Sequence, residues 1–181
     1  MKLLSYEHAG EAGFGAVVDG GIVDLKRALG GRYAGLRQLI AADAFAEAAA
    51  SLQGRKPDHA LDAVTLLPVI PDPDKIVCVG LNYGEHVRET GRTVTESPAL
   101  FLRVPDSQVG HGQPILRPRE SQRLDYEGEI AVVICRGMLW IIMSVVARCI
   151  SWPLSRVTSD ITWPGAISSA VTIHGPKPPV R

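Results

Sequence analysis

The sequence predicts a strand-rich α+β protein. Short apolar or alternating runs recur from the first residues onward; 18 Gly and 13 Pro punctuate them, which favours loops and sheets over a helical bundle. One longer stretch, Ala34 to Leu52, carries a helical apolar spacing. Its 181 residues suit one domain or two small ones with a real core. Lys and Arg (19) balance Asp and Glu (19), which argues against a strongly basic nucleic-acid binder or an acidic solvating tail, although a neutral total leaves room for a local patch.

Residues 1–70 read as a small N-terminal α/β domain. MKLLSYE, FGAVVDG and GIVDL are strand-like, and Asp19-Gly20-Gly21 has the chemistry of a tight turn, so a hairpin is expected over 14–25. Leu36, Leu39, Ile40, Phe45, Ala49 and Leu52 share one face of one helix or two short ones. Pro68, Pro71 and Pro73 then interrupt regular structure and mark a linker across Leu66 to Asp74.

A second region, 71–137, begins with Lys75 to Gly80, whose continuous apolar pattern predicts a strand buried on both faces. A short helix is expected from Tyr83 to Thr90, with Asn82 as its cap. Strands follow over Pro98 to Arg103, Gln113 to Leu116 and Tyr126 to Cys135, with a polar loop from Pro105 to Gly112. The N-terminus has no signal-peptide core, because Glu7 and His8 interrupt it. Cys78, Cys135 and Cys149 lack close pairing and sit in apolar runs, as buried thiols in a reducing cytoplasm would.

Three clusters carry chemistry. In Asp125-Tyr126-Glu127-Gly128-Glu129, the i and i+2 acids leave one face of a strand, and two carboxylates so close call for a cation or a proton. Oxygen ligands suit Mg²⁺ or Mn²⁺; a solvated edge strand is the plain alternative. In the helix, His86 and Glu89 are i and i+3 neighbours, so the carboxylate can fix the imidazole tautomer that a water-activating base needs; a surface pair is the plain alternative. Between them, Arg103 can fork onto a substrate carboxylate and Ser107 can donate to its oxygens, although alone these make an ordinary Gly-rich loop.

The order of these clusters resembles the fumarylacetoacetate hydrolase family: K-I-V-C-V-G-L-N-Y-x-x-H-x-x-E from Lys75, then P-x-L-F-x-R, S-x-V-G-H-G-Q-P-I and L-D-Y-E-G-E-I-A-V-V-I. Residues 1–70 look like the small N-terminal domain of bacterial members. The resemblance implies a mixed β-sandwich/β-roll catalytic domain, here incomplete. It also implies a metal-dependent hydrolase cleaving a C–C bond in an acylpyruvate or fumarylacetoacetate-like 2-oxo or diketo acid, in aromatic or amino-acid catabolism. Related hydratases, isomerases and oxaloacetate decarboxylases are the alternatives within the family. Carried onto matching positions, Glu127 and Glu129 are metal ligands, His86 the base, Glu89 its orienting partner, and Tyr83 and Arg103 substrate contacts, with Mg²⁺ or Mn²⁺ as cofactor. Relatives imply a cytoplasmic homodimer acting on a small molecule, without nucleic acid or membrane.

Up to Gly137 the chain holds 18 of its 19 acids and no Trp; residues 138–181 hold one acid, Asp160, and Trp140, Trp152 and Trp163. The family's third acidic ligand stands in an N-D-x-S-x-R-D type segment, where this chain reads Val157-Thr158-Ser159-Asp160-Ile161-Thr162, so Asp160 is the remaining candidate. Such a change in composition is what truncation or a shifted reading frame produces, and it raises the second alternative of a catalytically incompetent member. The apolar run 138–147 is about half a bilayer span and reads as core-like sequence.

Overall fold

The computed structural model describes residues 1–81, 84–89, 91, 93, 97, 99–117, 119, 124–135 and 138–149. Its first module is a sheet with three short helices. Strands β1 (Leu3–His8), β2 (Glu11–Val18), β3 (Gly21–Asp24), β4 (His59–Ala60) and β5 (Thr65–Leu66) pair antiparallel in the order β4-β3-β2-β1-β5. The expected hairpin is present and extends further: Val18 pairs with Gly21, and the turn between them has Asp19 at φ 46° and Gly20 at φ 76°, both left-handed. Glycine adopts that conformation without steric cost.

The two edge strands of this sheet are joined by only residues 61–64, including a 3₁₀ turn, Leu61–Ala63. A flat five-stranded sheet would hold its edges about 19 Å apart. A 3₁₀ turn advances only about 2 Å per residue, so the connection closes because the sheet curls. Inside the curl, Leu4, Tyr6 and Ile22 are buried, with Val17, Leu61, Val64 and Leu66 packed against them. Room for Tyr6 comes from Gly13, its cross-strand partner, where a Cβ would lie 2.8 Å from the ring.

The outer face carries the larger core. Helices α1 (Leu25–Ala28), α2 (Leu36–Ala41) and α3 (Phe45–Ser51) place Leu25, Leu29, Leu36, Leu39, Ile40 and Ala48 against Phe14 and Ala16 of β2. The helical face predicted over 34–52 is thus two short helices. Asp24 caps α1 by accepting from the Arg27 amide at 2.9 Å.

Three expectations change. The proline-rich segment is no free connector: Val69 and Ile70 are buried in the outer core, Ser5 Oγ donates to the Val69 carbonyl at 2.8 Å, and Arg37 donates to the Asp72 carbonyl and Asp74 carboxylate at 2.5 and 2.6 Å. Prolines remove donors, but acceptors remain for side chains to bind. Strand β6 (Ile76–Gly80) pairs with β7 (Ala99–Arg103) in a two-stranded sheet, and only Cys78 in β6 is buried; Val77 is 55% exposed. Among the described residues no second layer covers that face, so the uniform apolar pattern does not mean two-sided burial here. Residues 113–116 form no strand: Pro114 lacks a donor and Leu116 is 84% exposed. A long hairpin of β8 (Leu124–Cys135) and β9 (Met138–Cys149) completes the described structure.

Candidate active site

Helix α4 (Gly84–Glu89) follows β6 and carries His86 and Glu89 one turn apart; Val87 is buried and ties it to the rest. The described helix lies within the expected span, and Asn82, Tyr83 and Thr90 lie outside the described residues. On β8 the register sets Glu127 opposite Val146 and Glu129 opposite Ser144, so the two acids share one strand face and Gly128 the other. The side chains of His86, Glu89, Glu127 and Glu129 are outside those described, as is Asp160 altogether. Among the described side chains no group of three His, Cys, Asp or Glu forms a metal site.

Arg103 ends β7 opposite Ile76, half-buried, with its guanidinium 5.7 Å from the Phe101 ring centroid. The aromatic face steadies the planar cation. Two residues on, a 3₁₀ turn, Pro105–Ser107, folds so that the Ser107 hydroxyl donates to the Val104 carbonyl at 2.7 Å. Its proton is therefore engaged locally, so in this arrangement Ser107 meets a ligand as acceptor and not as the donor expected from the sequence. Arg103 and Ser107 are thus brought to one corner, at the end of the strand that pairs with β6.

Two residues of this corner escaped the sequence reading. Gln108 Nε2 donates to the Ile70 carbonyl at 3.2 Å, and Gln113 Nε2 donates to the Leu66 carbonyl at 2.9 Å. Between them Gly110 is buried against the same carbonyl, where a Cβ would come within 1.7 Å of the Leu66 oxygen. No local pattern signals these bonds, because their acceptors lie 38 and 47 residues earlier.

The paired strands β6-β7 and β8-β9, with α4 between β6 and β7 in the chain, continue the strand-rich α+β architecture of the first module. Residues 75–152 match the sequence model described as fumarylacetoacetate (FAA) hydrolase C-terminal, and this segment belongs to the fumarylacetoacetate hydrolase family. The match runs past Gly137 to Trp152. A protein named oxaloacetate tautomerase FAHD2A, mitochondrial, from Bos taurus is 45% identical over 71 residues, which are 39% of this chain and 23% of that protein. An uncharacterised protein of Archaeoglobus fulgidus is 47% identical over 81 residues, 43% of this chain and 32% of the other. In structure, fumarylacetoacetate hydrolase from Exiguobacterium antarcticum superposes with TM-score 0.52 at 30% identity, covering 75% of this chain and 47% of that one. An HpcE-designated protein from Mycobacterium smegmatis gives TM-score 0.57 at 29% identity over 71% and 45%. The chain thus spans less than half the length of these relatives.

Proposed function

We propose that this chain carries the water-activating and metal-binding part of a hydrolase for acylpyruvate-like diketo acids. The observation that supports it most is the i, i+2 placement of Glu127 and Glu129 on one face of β8, within the family-matching segment that also holds α4. Carboxylates at that spacing are a hard-oxygen donor set and fit Mg²⁺ or Mn²⁺; Asp160 is the proposed third ligand. A bound divalent ion would polarise the 2-oxo group of the substrate and stabilise negative charge on its oxygen.

The chain's own residues supply the rest. One ring nitrogen of His86 takes the proton of the attacking water while the Glu89 carboxylate accepts from the other and so fixes the tautomer. Arg103 pairs with the substrate carboxylate, and the Ser107 oxygen accepts from a substrate hydroxyl or water beside it. Tyr83, outside the described residues, is the further proposed substrate contact. Water adds to the distal carbonyl, the bond between that carbon and the methylene breaks, and the methylene recovers a proton, so an acylpyruvate and water yield a carboxylate, pyruvate and one proton. The proposed setting is cytoplasmic catabolism of aromatic compounds or amino acids by a homodimer.

A second reading has a specific observation behind it: the oxaloacetate tautomerase name of the Bos taurus relative. There His86 would move a proton between carbon and oxygen without bond cleavage. One assay separates them. Purified chain with Mg²⁺ and acetylpyruvate should lose the diketone absorbance with equimolar pyruvate release; fading of enol-oxaloacetate absorbance without acid release supports the tautomerase, and no turnover of either substrate overturns both.

A further inference from the structure

We propose that Gln108 and Gln113 are positioning residues, by which the N-terminal module holds the loop 105–113 beside the substrate corner. The inference rests on the preceding reading only in assigning Arg103 and Ser107 to substrate. The loop leaves β7 immediately after Arg103, turns at Pro105–Ser107, and is then fastened at both ends of a short span. Gln108 reaches the Ile70 carbonyl at 3.2 Å and Gln113 the Leu66 carbonyl at 2.9 Å. Gly110 is pressed onto the Leu66 oxygen between them, so the contact has no room for a side chain.

The acceptors are themselves immobilised. Leu66 belongs to β5 and pairs with Tyr6; Ile70 and Val69 are in the outer core, and the Val69 carbonyl is held by Ser5. A rigid curled sheet therefore sets the height of the loop, and through it that of Ser107. The loop's own bonds are local: Ser107 N–H and Oγ to the Val104 carbonyl, Gln108 N–H to that of Pro105 and Gln113 N–H to that of Gly110 each close a single turn, and Gln108 Nε2 shares its donation to Ile70 with a longer contact to the Pro105 carbonyl at 3.4 Å. Residues 111–114 also wall a cleft of about 490 Å³ against Leu61, Val64 and Thr65, so part of this flank faces open space beside the Gln113 bond.

The test uses the full chain with Gln108→Glu and Gln113→Glu together, which keep shape and remove the amide donors, and Gln108→Ala with Gln113→Ala as the second pair. Oxalate, a planar mimic of a 2-oxo acid, is titrated calorimetrically with Mg²⁺ present, Mg²⁺ is titrated alone, and amide exchange is followed at Ser107 and Gln113. We expect oxalate to bind at least about tenfold more weakly, Mg²⁺ affinity to stay within twofold, and protection of both amides to fall at least tenfold. Unchanged oxalate affinity, unchanged protection, or a parallel loss of Mg²⁺ affinity overturns the proposal. Should the unsubstituted chain bind no oxalate, the proposed function fails instead, and the exchange measurement alone decides the role of the two glutamines.

Discussion

The imidazole rings of His8 and His59 lie 4.3 Å apart between centroids and are inclined by 35°. These residues sit on β1 and β4, which are separated in the sheet by β2 and β3. Three strand spacings on a flat sheet are about 14 Å, so the ring contact measures the curl directly. Tyr6 continues the row, its ring 5.5 Å from that of His59.

Truncating the stack should loosen the closure of the sheet. His59→Ala is expected to lower the unfolding free energy by about 0.5–1.5 kcal/mol, the range for an aromatic pair. Urea unfolding of both single variants and the double variant with His8→Ala checks this, and strictly additive effects would show that the rings do not interact.

Tyr6 gives the chain an alkaline limit. Burial, then the Asp24 carboxylate that accepts its hydroxyl, then the charge of Asp58, push its phenol well above the usual value. The folded state keeps the proton after the unfolded chain has lost it, so this contribution is complete below about pH 10 and declines as pH rises beyond it. Urea melts between pH 8 and 11 should show that decline, and Tyr6→Phe should flatten it.

Gly15 has no space for a methyl group. A Cβ there would stand 2.5 Å from the Val23 carbonyl oxygen and 2.7 Å from Ile22 Cγ2. Gly15→Ala should therefore cost about 1–3 kcal/mol through overpacking. Gly13→Ala, pressed on the Tyr6 ring rather than on backbone, is expected to cost less; thermal unfolding ranks the two.

If the proposed chemistry holds, His86→Ala should reduce kcat by about 10²-fold or more, the usual share of a general base. Glu127→Gln and Glu129→Gln should instead raise the Mg²⁺ concentration needed for half activity. Chelation by EDTA should abolish turnover, and Mg²⁺ or Mn²⁺ should restore it. Equal activity of the His86 variant would assign the base elsewhere.

The change of composition after Gly137 leads to a test on nucleic acid. We propose that the reading frame shifts near this point, and translation of the source DNA in the other two frames should then uncover a segment with acidic residues in family spacing. β9 nonetheless pairs with β8 along its whole length, from Met138 opposite Cys135 to Cys149 opposite Leu124. An apolar run of this composition forms a ladder with any strand beside it, so pairing does not distinguish native from shifted sequence. Absence of family-like sequence in both alternative frames would sink the idea.

Much of the architecture is local and was legible. The Asp19-Gly20 turn, the two short helices after Ala34 and the strands at 76–80 and 99–103 follow from turn chemistry and periodicity, which act over a few residues. The family motifs, and with them His86, Glu89, Glu127 and Glu129, are equally a property of the chain itself. What only the tertiary structure decided is which distant groups meet: the curl that brings His8 to His59, the burial of Val69 and Ile70 that turns an apparent linker into core, and the carbonyls of Leu66 and Ile70 that hold Gln113 and Gln108. Backbone carbonyls are identical at every position of a sequence, so their availability as acceptors appears only when packing has chosen which of them face a side chain.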